Sequence, residues 1–298
     1  MTMRSPLGVL AMAGLLSTDA LAQGNTDIYL APLRLVGDSL IVGPAVNATR
    51  RAGYDNQPSF TPDSRALLYT ALDSAGRADI WRLDIVSDEV TRVTNTPESE
   101  YSPTVMPDGR RFSVIRVERD SVQRLWSFAL DGSDPQLVLR NLKPVGYHAW
   151  LDNTHLVTFV LGTPSTLHAI NRDGTGDEIL ARDIGRSLHR IPQRPAFSYT
   201  QRDSTTNKLW IITRPVGSRL TARLLPAPSD NEFHTWTPDG QLLTATGGVL
   251  MRWNFVREPV GAWIPVANLA PNGVKNVSRL AVSPNGRWLA FVAEPVAP

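Results

Sequence analysis

Three of the chain's five histidines stand at matching points of a repeated phrase. They are His148 in His-Ala-Trp150, His189 in His-Arg-Ile191 and His234 in His-Thr-Trp236. Their spacings are 41 and 45 residues. Neutral imidazole is a ligand for Zn, Mn, Fe or Ni, and three histidines with open positions describe one divalent transition metal that can take substrate. Glu232, two residues before His234, is then the candidate general base or fourth ligand. The competing reading is packing. Residues two apart share a face of a strand, which would set His148 and His234 beside Trp150 and Trp236 as wedges between layers. His155 and His168 fall inside ordinary strand patterns.

The element that must position these histidines is a recurring strand and turn. Trp236-Thr-Pro-Asp-Gly240 returns as Phe60-Thr-Pro-Asp63-Ser, Val105-Met-Pro-Asp108-Gly and Val282-Ser-Pro-Asn285-Gly, with a worn copy at Trp150-Leu-Asp152-Asn. Pro pre-sets φ for such a turn, and Asp and Gly tolerate its later positions. The turn residue recurs at 63, 108, 152, 239 and 285, so the period is near 45 and one unit with a damaged turn lies near Ile191-Pro-Gln-Arg194. A fixed period of that size in a strand-rich chain predicts four-stranded propeller blades. Within each unit, alternating runs such as Ala66–Thr70, Asp79–Leu83 and Glu89–Thr94 supply the other strands.

The last unit, from Ser278, has only two strands before the chain ends. Asp27-Ile-Tyr-Leu30 matches the Asp79-Ile-Trp-Arg strand, and a strand near Leu40 to Val46 follows it. The two ends are expected to complete one blade together, which removes open sheet edges. Residues 23 to 298 divided among six units give 46 each. The expected fold is all-β: a six-bladed propeller of four-stranded blades closed by N- and C-terminal strands.

The turn, a basic residue with an apolar strand after it, and then D-I-W or L-W, resemble the PD40 repeats of the TolB-like six-bladed propellers. The resemblance covers nearly the whole of residues 23–298. It implies a fold shared by scaffolds, sensors and enzyme parts. TolB itself carries an α/β domain before its propeller, and residues 23 to 54 are too few for one. The similar fold of oligogalacturonate lyases implies a metal held by histidines in the channel, although their ligand spacing differs from that of His148, His189 and His234.

Composition narrows the function. Thirty basic and 28 acidic residues are spread along the chain, with no Lys/Arg run that would suit nucleic acid. There is no cysteine, so disulfides, thiolate sites and a Cys nucleophile are excluded. A basic start at Arg4, an apolar Leu7 to Leu16 and Ala20-Leu-Ala22 have the form of a secretory signal over residues 1–22. Export to the periplasm or beyond follows, with no membrane span in the remainder. No nucleophile elbow, P-loop, dinucleotide fingerprint or H-E-x-x-H is present.

The loops entering each inner strand are expected to surround one mouth of the channel. They bring Asp55, Glu100, Tyr101, Tyr147, Arg186, Ser187 and Glu232, a mixture suited to a polar or sugar ligand or a protein partner. Three functions remain open. The first is a monomeric binding module acting through this mouth. The second is a metal-dependent lyase or hydrolase on a sugar or polyanion. The third is a structural envelope adaptor.

Overall fold

The computed structural model describes residues 24–36, 39–258, 261–269 and 274–295. The signal-like segment at 1–22 lies outside them. Six antiparallel sheets follow one another around a ring. In blade 1 the inner strand Asp55–Phe60 pairs with Ala66–Leu72, then Ala78–Asp84, then Val90–Arg92. Blades 2 to 5 repeat that order from inner strands Ser99–Val105, Val145–Trp150, Ile184–Arg190 and His234–Trp236.

Blade 6 is built from both ends of the chain, as the repeat count requires. Its inner strand Leu280–Val282 pairs with Trp288–Ala293, which pairs in turn with the N-terminal strand Asp27–Val36. Ile28 lies opposite Val292 and Tyr29 opposite Phe291. The N-terminal strand runs past the expected Leu30, and Leu33–Val36 pair with Ser39–Val42. The outer strand is therefore in two pieces, Ser39–Val42 and Val46–Asn47. Gly43, Pro44 and Ala45 separate them, and proline has no N–H for a ladder.

Apolar packing closes the ring. Six hydrophobic clusters lie one at each blade junction, for example Ile28 and Val292 against Leu67 and Tyr69, or Tyr29 and Phe291 against Leu243 and Leu250. Alternation along each strand sends side chains to both neighbouring blades, and each buried Leu, Ile or Phe contributes roughly 1.5–3 kcal/mol by leaving water.

Each inner strand ends in the same backbone bond. Thr61, Met106, Leu151, Ile191, Thr237 and Ser283 donate their N–H to the first residue of the next strand or the residue just before it, all at 2.9 Å. The unit with the damaged turn thus keeps the turn. Its left-handed residue is Gln193 (φ 59°), one position ahead of Ser64 and Gly109. Two hairpin glycines make an internal comparison. Gly132 (φ +83°) would place a Cβ 1.9 Å from the Val93 carbonyl oxygen, whereas Gly174 (φ +84°) has nothing within 4 Å. Gly174→Ala should cost only the left-handed strain, about 1 kcal/mol, and Gly132→Ala at least about 2 kcal/mol more, because backbone must move. Urea midpoints of the two variants measure the difference.

Candidate functional site: the channel mouth

The inner strands extend further toward their N-terminal ends than the residue pattern indicates. In blades 1 and 2 each strand continues back across a bulge, between Asn56 and Ser59 and between Tyr101 and Thr104. Gln57 and Ser102 take left-handed φ there, 60° and 54°. The extension draws two expected rim residues into the body of the sheet. Asp55 is fully buried, accepts from Arg51 Nε at 2.7 Å, and burial raises its pKa against the opposing pull of Arg51. Glu100 is also fully buried. It accepts from Arg116 Nε at 3.0 Å and from the Thr94 and Thr96 hydroxyls. Neither lines the channel cavity, so both are structural carboxylates instead of the mouth ligands expected of them. Tyr101 is half-buried and packs against the cluster at the junction of blades 2 and 3.

The three histidines separate on register. Counted from the common turn bond, His148 and His234 stand three residues before Leu151 and Thr237, but His189 stands two before Ile191. The residue in the column of His148 and His234 is Leu188. Side chains in that column face the preceding blade. His148 Nε2 meets Ser113 Oγ at 2.6 Å, and Trp150 Nε1 donates to the same oxygen at 2.8 Å. His234 Nε2 meets Ser198 Oγ at 2.8 Å, and Trp236 Nε1 donates to it at 2.8 Å. His189, one residue out of step, faces the following blade and lies 4.9 Å from the His234 ring, with Ser187 Oγ 3.1 Å from its Nε2.

These imidazoles do not fit the metal site that their spacing suggested. Among the described residues no group of three His, Cys, Asp or Glu side chains could hold a metal ion. One nitrogen of each column histidine is engaged by serine, and the other, Nδ1, is buried without a partner among the described residues. Burial pushes His148 down to about 3, and pushes His234 well down with a further contribution from His189. Both are neutral wedges between blades. Glu232 is likewise engaged. Its Oε2 accepts the Arg186 backbone N–H at 2.8 Å and its Oε1 pairs with the Arg186 guanidinium, which joins blades 4 and 5. Gly185 permits this approach, because a Cβ there would lie 2.7 Å from Glu232 Oε2 and 2.2 Å from Thr200 Oγ1.

The three histidines border the central cavity, and the neighbouring column lines it beside them. Four residues before each turn bond stand Gln57, Ser102, Tyr147, Ser187, Phe233 and Arg279, and all six line a central cavity of about 700 Å³. Tyr147, Arg186 and Ser187 are thus where the sequence placed them. Phe233 and Arg279 were missed, although a shift of one residue from the histidine column finds both. Blades 3 and 6 are opposite in the ring, and Arg279 spans the channel between them. Its Nη2 donates to the Tyr147 hydroxyl at 3.0 Å. Its guanidinium lies 4.4 Å from the Phe233 ring centroid and 5.0 Å from that of Tyr147. Arg186 lies 5.4 Å from the same Phe233 ring. Burial would raise the Tyr147 phenol, but the two guanidiniums outweigh it and hold the group below its ordinary value.

No family model matches the chain. Solved structures do match its fold. A putative TolB from Agrobacterium tumefaciens superposes with a TM-score of 0.69 at 15% identity, over 91% of this chain and 99% of that one. The fold is that of the TolB-like six-bladed propellers. A gluconolactonase from Xanthomonas campestris aligns with a TM-score of 0.63 at 11% identity, over 89% and 95% of the two chains. An oligogalacturonate lyase in complex with manganese aligns at 0.55 and 15% identity, over 84% and 80%. At such identities the likeness concerns the fold, and one fold serves several chemistries. Among the described residues no helix is long and apolar enough to cross a membrane.

Proposed function

We propose that this chain is an exported, monomeric binding module that receives a small polar ligand, a sugar or a segment of a partner protein in the mouth of its channel. One observation carries the reading. The cavity of about 700 Å³ is walled by all six inner strands and ringed by hydrogen-bonding and aromatic side chains, and sites for small molecules have volumes of 300–1,000 Å³ and that kind of lining. The TolB-like fold supports protein binding as one form of it, and the signal-like segment supports a periplasmic or secreted setting. The metal-assisted reading loses its main support, since His148 and His234 are committed to Ser113 and Ser198. A filled channel, which an adaptor would have, is not what the cavity describes.

The test is to block the channel. Ser59 and Ala281 line it from adjacent blades. Ser59→Trp and Ala281→Trp should each abolish binding in a screen of peptides and oligosaccharides, with thermal midpoints confirming that the variants fold. Ligands that bind wild type and both variants alike would place recognition elsewhere and refute the proposal.

A further inference from the structure

Most buried or half-buried arginines meet a carboxylate, as Arg51, Arg77, Arg92, Arg116, Arg124 and Arg252 do. Buried Arg214 instead donates to the Ser218 and Leu180 carbonyls. Among the described residues Arg279 has neither kind of partner. Its partners among the described residues are one phenol oxygen and two aromatic faces. A guanidinium carries five donors in a planar fork, and among the described residues this one spends a single hydrogen bond. The two aromatic faces fix its plane and its position, so little freedom would be lost when a ligand arrives.

The local charge has the same sign. Arg186 shares the Phe233 ring with Arg279, and its own charge is answered by Glu232. Among the described residues the carboxylate on the cavity wall is Asp152, which sits at the turn end, where His155 and Thr154 hold it and where Arg190 also borders the cavity. Among the described residues the mouth therefore carries, in Arg279, a cation without a carboxylate partner, beside a phenol that the arginines make a better hydrogen-bond donor. A planar fork of that kind matches a carboxylate in bidentate geometry.

We infer that the mouth is a subsite for the carboxylate of a small organic acid, bound by Arg279 with Tyr147 as the second donor. The inference rests on the channel-binding reading and adds the ligand's chemistry to it. A molecule of cavity size is favoured over a polymer because Arg279 and Tyr147 cross the channel between opposite blades, in the way of a chain threading through it. The acid could be a sugar acid or an amino-acid derivative, since both present the same planar group.

The experiment compares acids with their neutral partners by calorimetry at low ionic strength. The probes are D-glucuronate against D-glucose, and N-acetyl-L-glutamate against N-acetyl-L-glutamine. The proteins are wild type, Arg279→Gln, Arg279→Lys and Ser59→Trp, each checked for an unchanged fold. The expected result is that at least one acid binds at least tenfold more tightly than its neutral partner. Arg279→Gln should lose that preference, and Arg279→Lys should keep only part of it, having charge without the fork. Which pair shows the preference identifies the source of the carboxylate. Equal binding of acid and neutral probes, acid binding unchanged in Arg279→Gln, or no binding by either acid would overturn the inference. Neutral probes that bind wild type but not Ser59→Trp would leave channel binding standing without the acid subsite. Acid binding that survives Ser59→Trp would refute channel binding itself.

Discussion

Glu100→Ala is expected to destabilise the protein by about 3–5 kcal/mol, the cost of leaving a buried charge without its partner. Glu100 is fully buried and Arg116 is 7% exposed. The two stand directly opposite each other on paired strands of blade 2, with Arg116 Nε donating to Glu100 Oε1 at 3.0 Å. The Thr94 and Thr96 hydroxyls donate to the same carboxylate from the segment that links blade 1 to blade 2. The guanidinium also lies 4.4 Å from the Trp126 ring, which fixes where it must remain when the carboxylate is gone. Alanine would strand one guanidinium and two hydroxyls at once. Glu100→Gln keeps acceptors for the threonines and should cost less. Removing both charges, as Glu100→Leu with Arg116→Met, should recover much of the loss, because the expense lies in the unpaired charge more than in the pair's net attraction. Urea unfolding of the four proteins tests this. A change within about 0.5 kcal/mol for Glu100→Ala, as a solvated rim position would give, would show that the carboxylate is not the buried anchor described above.

That residue also shows where the sequence stops being legible. The turn phrase carries its own physical reasons in Pro, Asp and Gly, so its period, the six units and the shared last blade could all be read directly. Bulges carry no such mark. Gln57 and Ser102 adopt left-handed φ without being glycine, and nothing in their side chains announces that the strand continues behind them. Asp55 and Glu100 therefore looked like loop residues. The same limit displaced His189. Ile191-Pro-Gln-Arg194 lacks the Asp and Gly that anchor the other units, and only the bond from Ile191 N–H to the Ala196 carbonyl shows that Leu188 occupies the histidine column. Recurrence at one position marked a site of repeated packing, in which a serine of the preceding blade serves both His and Trp. The mouth is lined by the adjacent column, whose six members are of five types, with only serine recurring, and so present little repeat to notice. Tyr147, Ser187 and Arg186 were found because loops entering inner strands must reach the mouth. Arg279 escaped because its value lies in a contact made across the ring.

Acidification from pH 7 to pH 5 should lower the unfolding free energy by about 4 kcal/mol through His148 and His234 alone. Above the ordinary histidine value of 6.5 both the folded and the unfolded chain hold these rings neutral, and no proton is at stake. Below it the unfolded chain takes up a proton that the folded protein refuses. His148 is 7% exposed with its value pushed to about 3, and His234 is 1% exposed and pushed well below its ordinary value. At 1.36 kcal/mol per pH unit, each ring therefore removes about 2 kcal/mol by pH 5. The loss continues toward pH 3 for His148, where the folded protein at last protonates. His189, less deeply buried and lowered to about 4, adds in the same direction. The buried acids act oppositely. Burial raises Asp55 and Glu100, so the folded state takes up their protons first, which partly offsets the loss toward the lower end of the range. The decisive comparison is His148→Gln/His234→Gln, whose amides can still meet Ser113 and Ser198 but cannot titrate. Its stability at pH 7 should fall, while the slope between pH 7 and pH 5 should flatten by about 4 kcal/mol relative to wild type. An unchanged slope would mean that one or both rings titrate alike in the folded and unfolded states, which buried, serine-bonded wedges between blades cannot do.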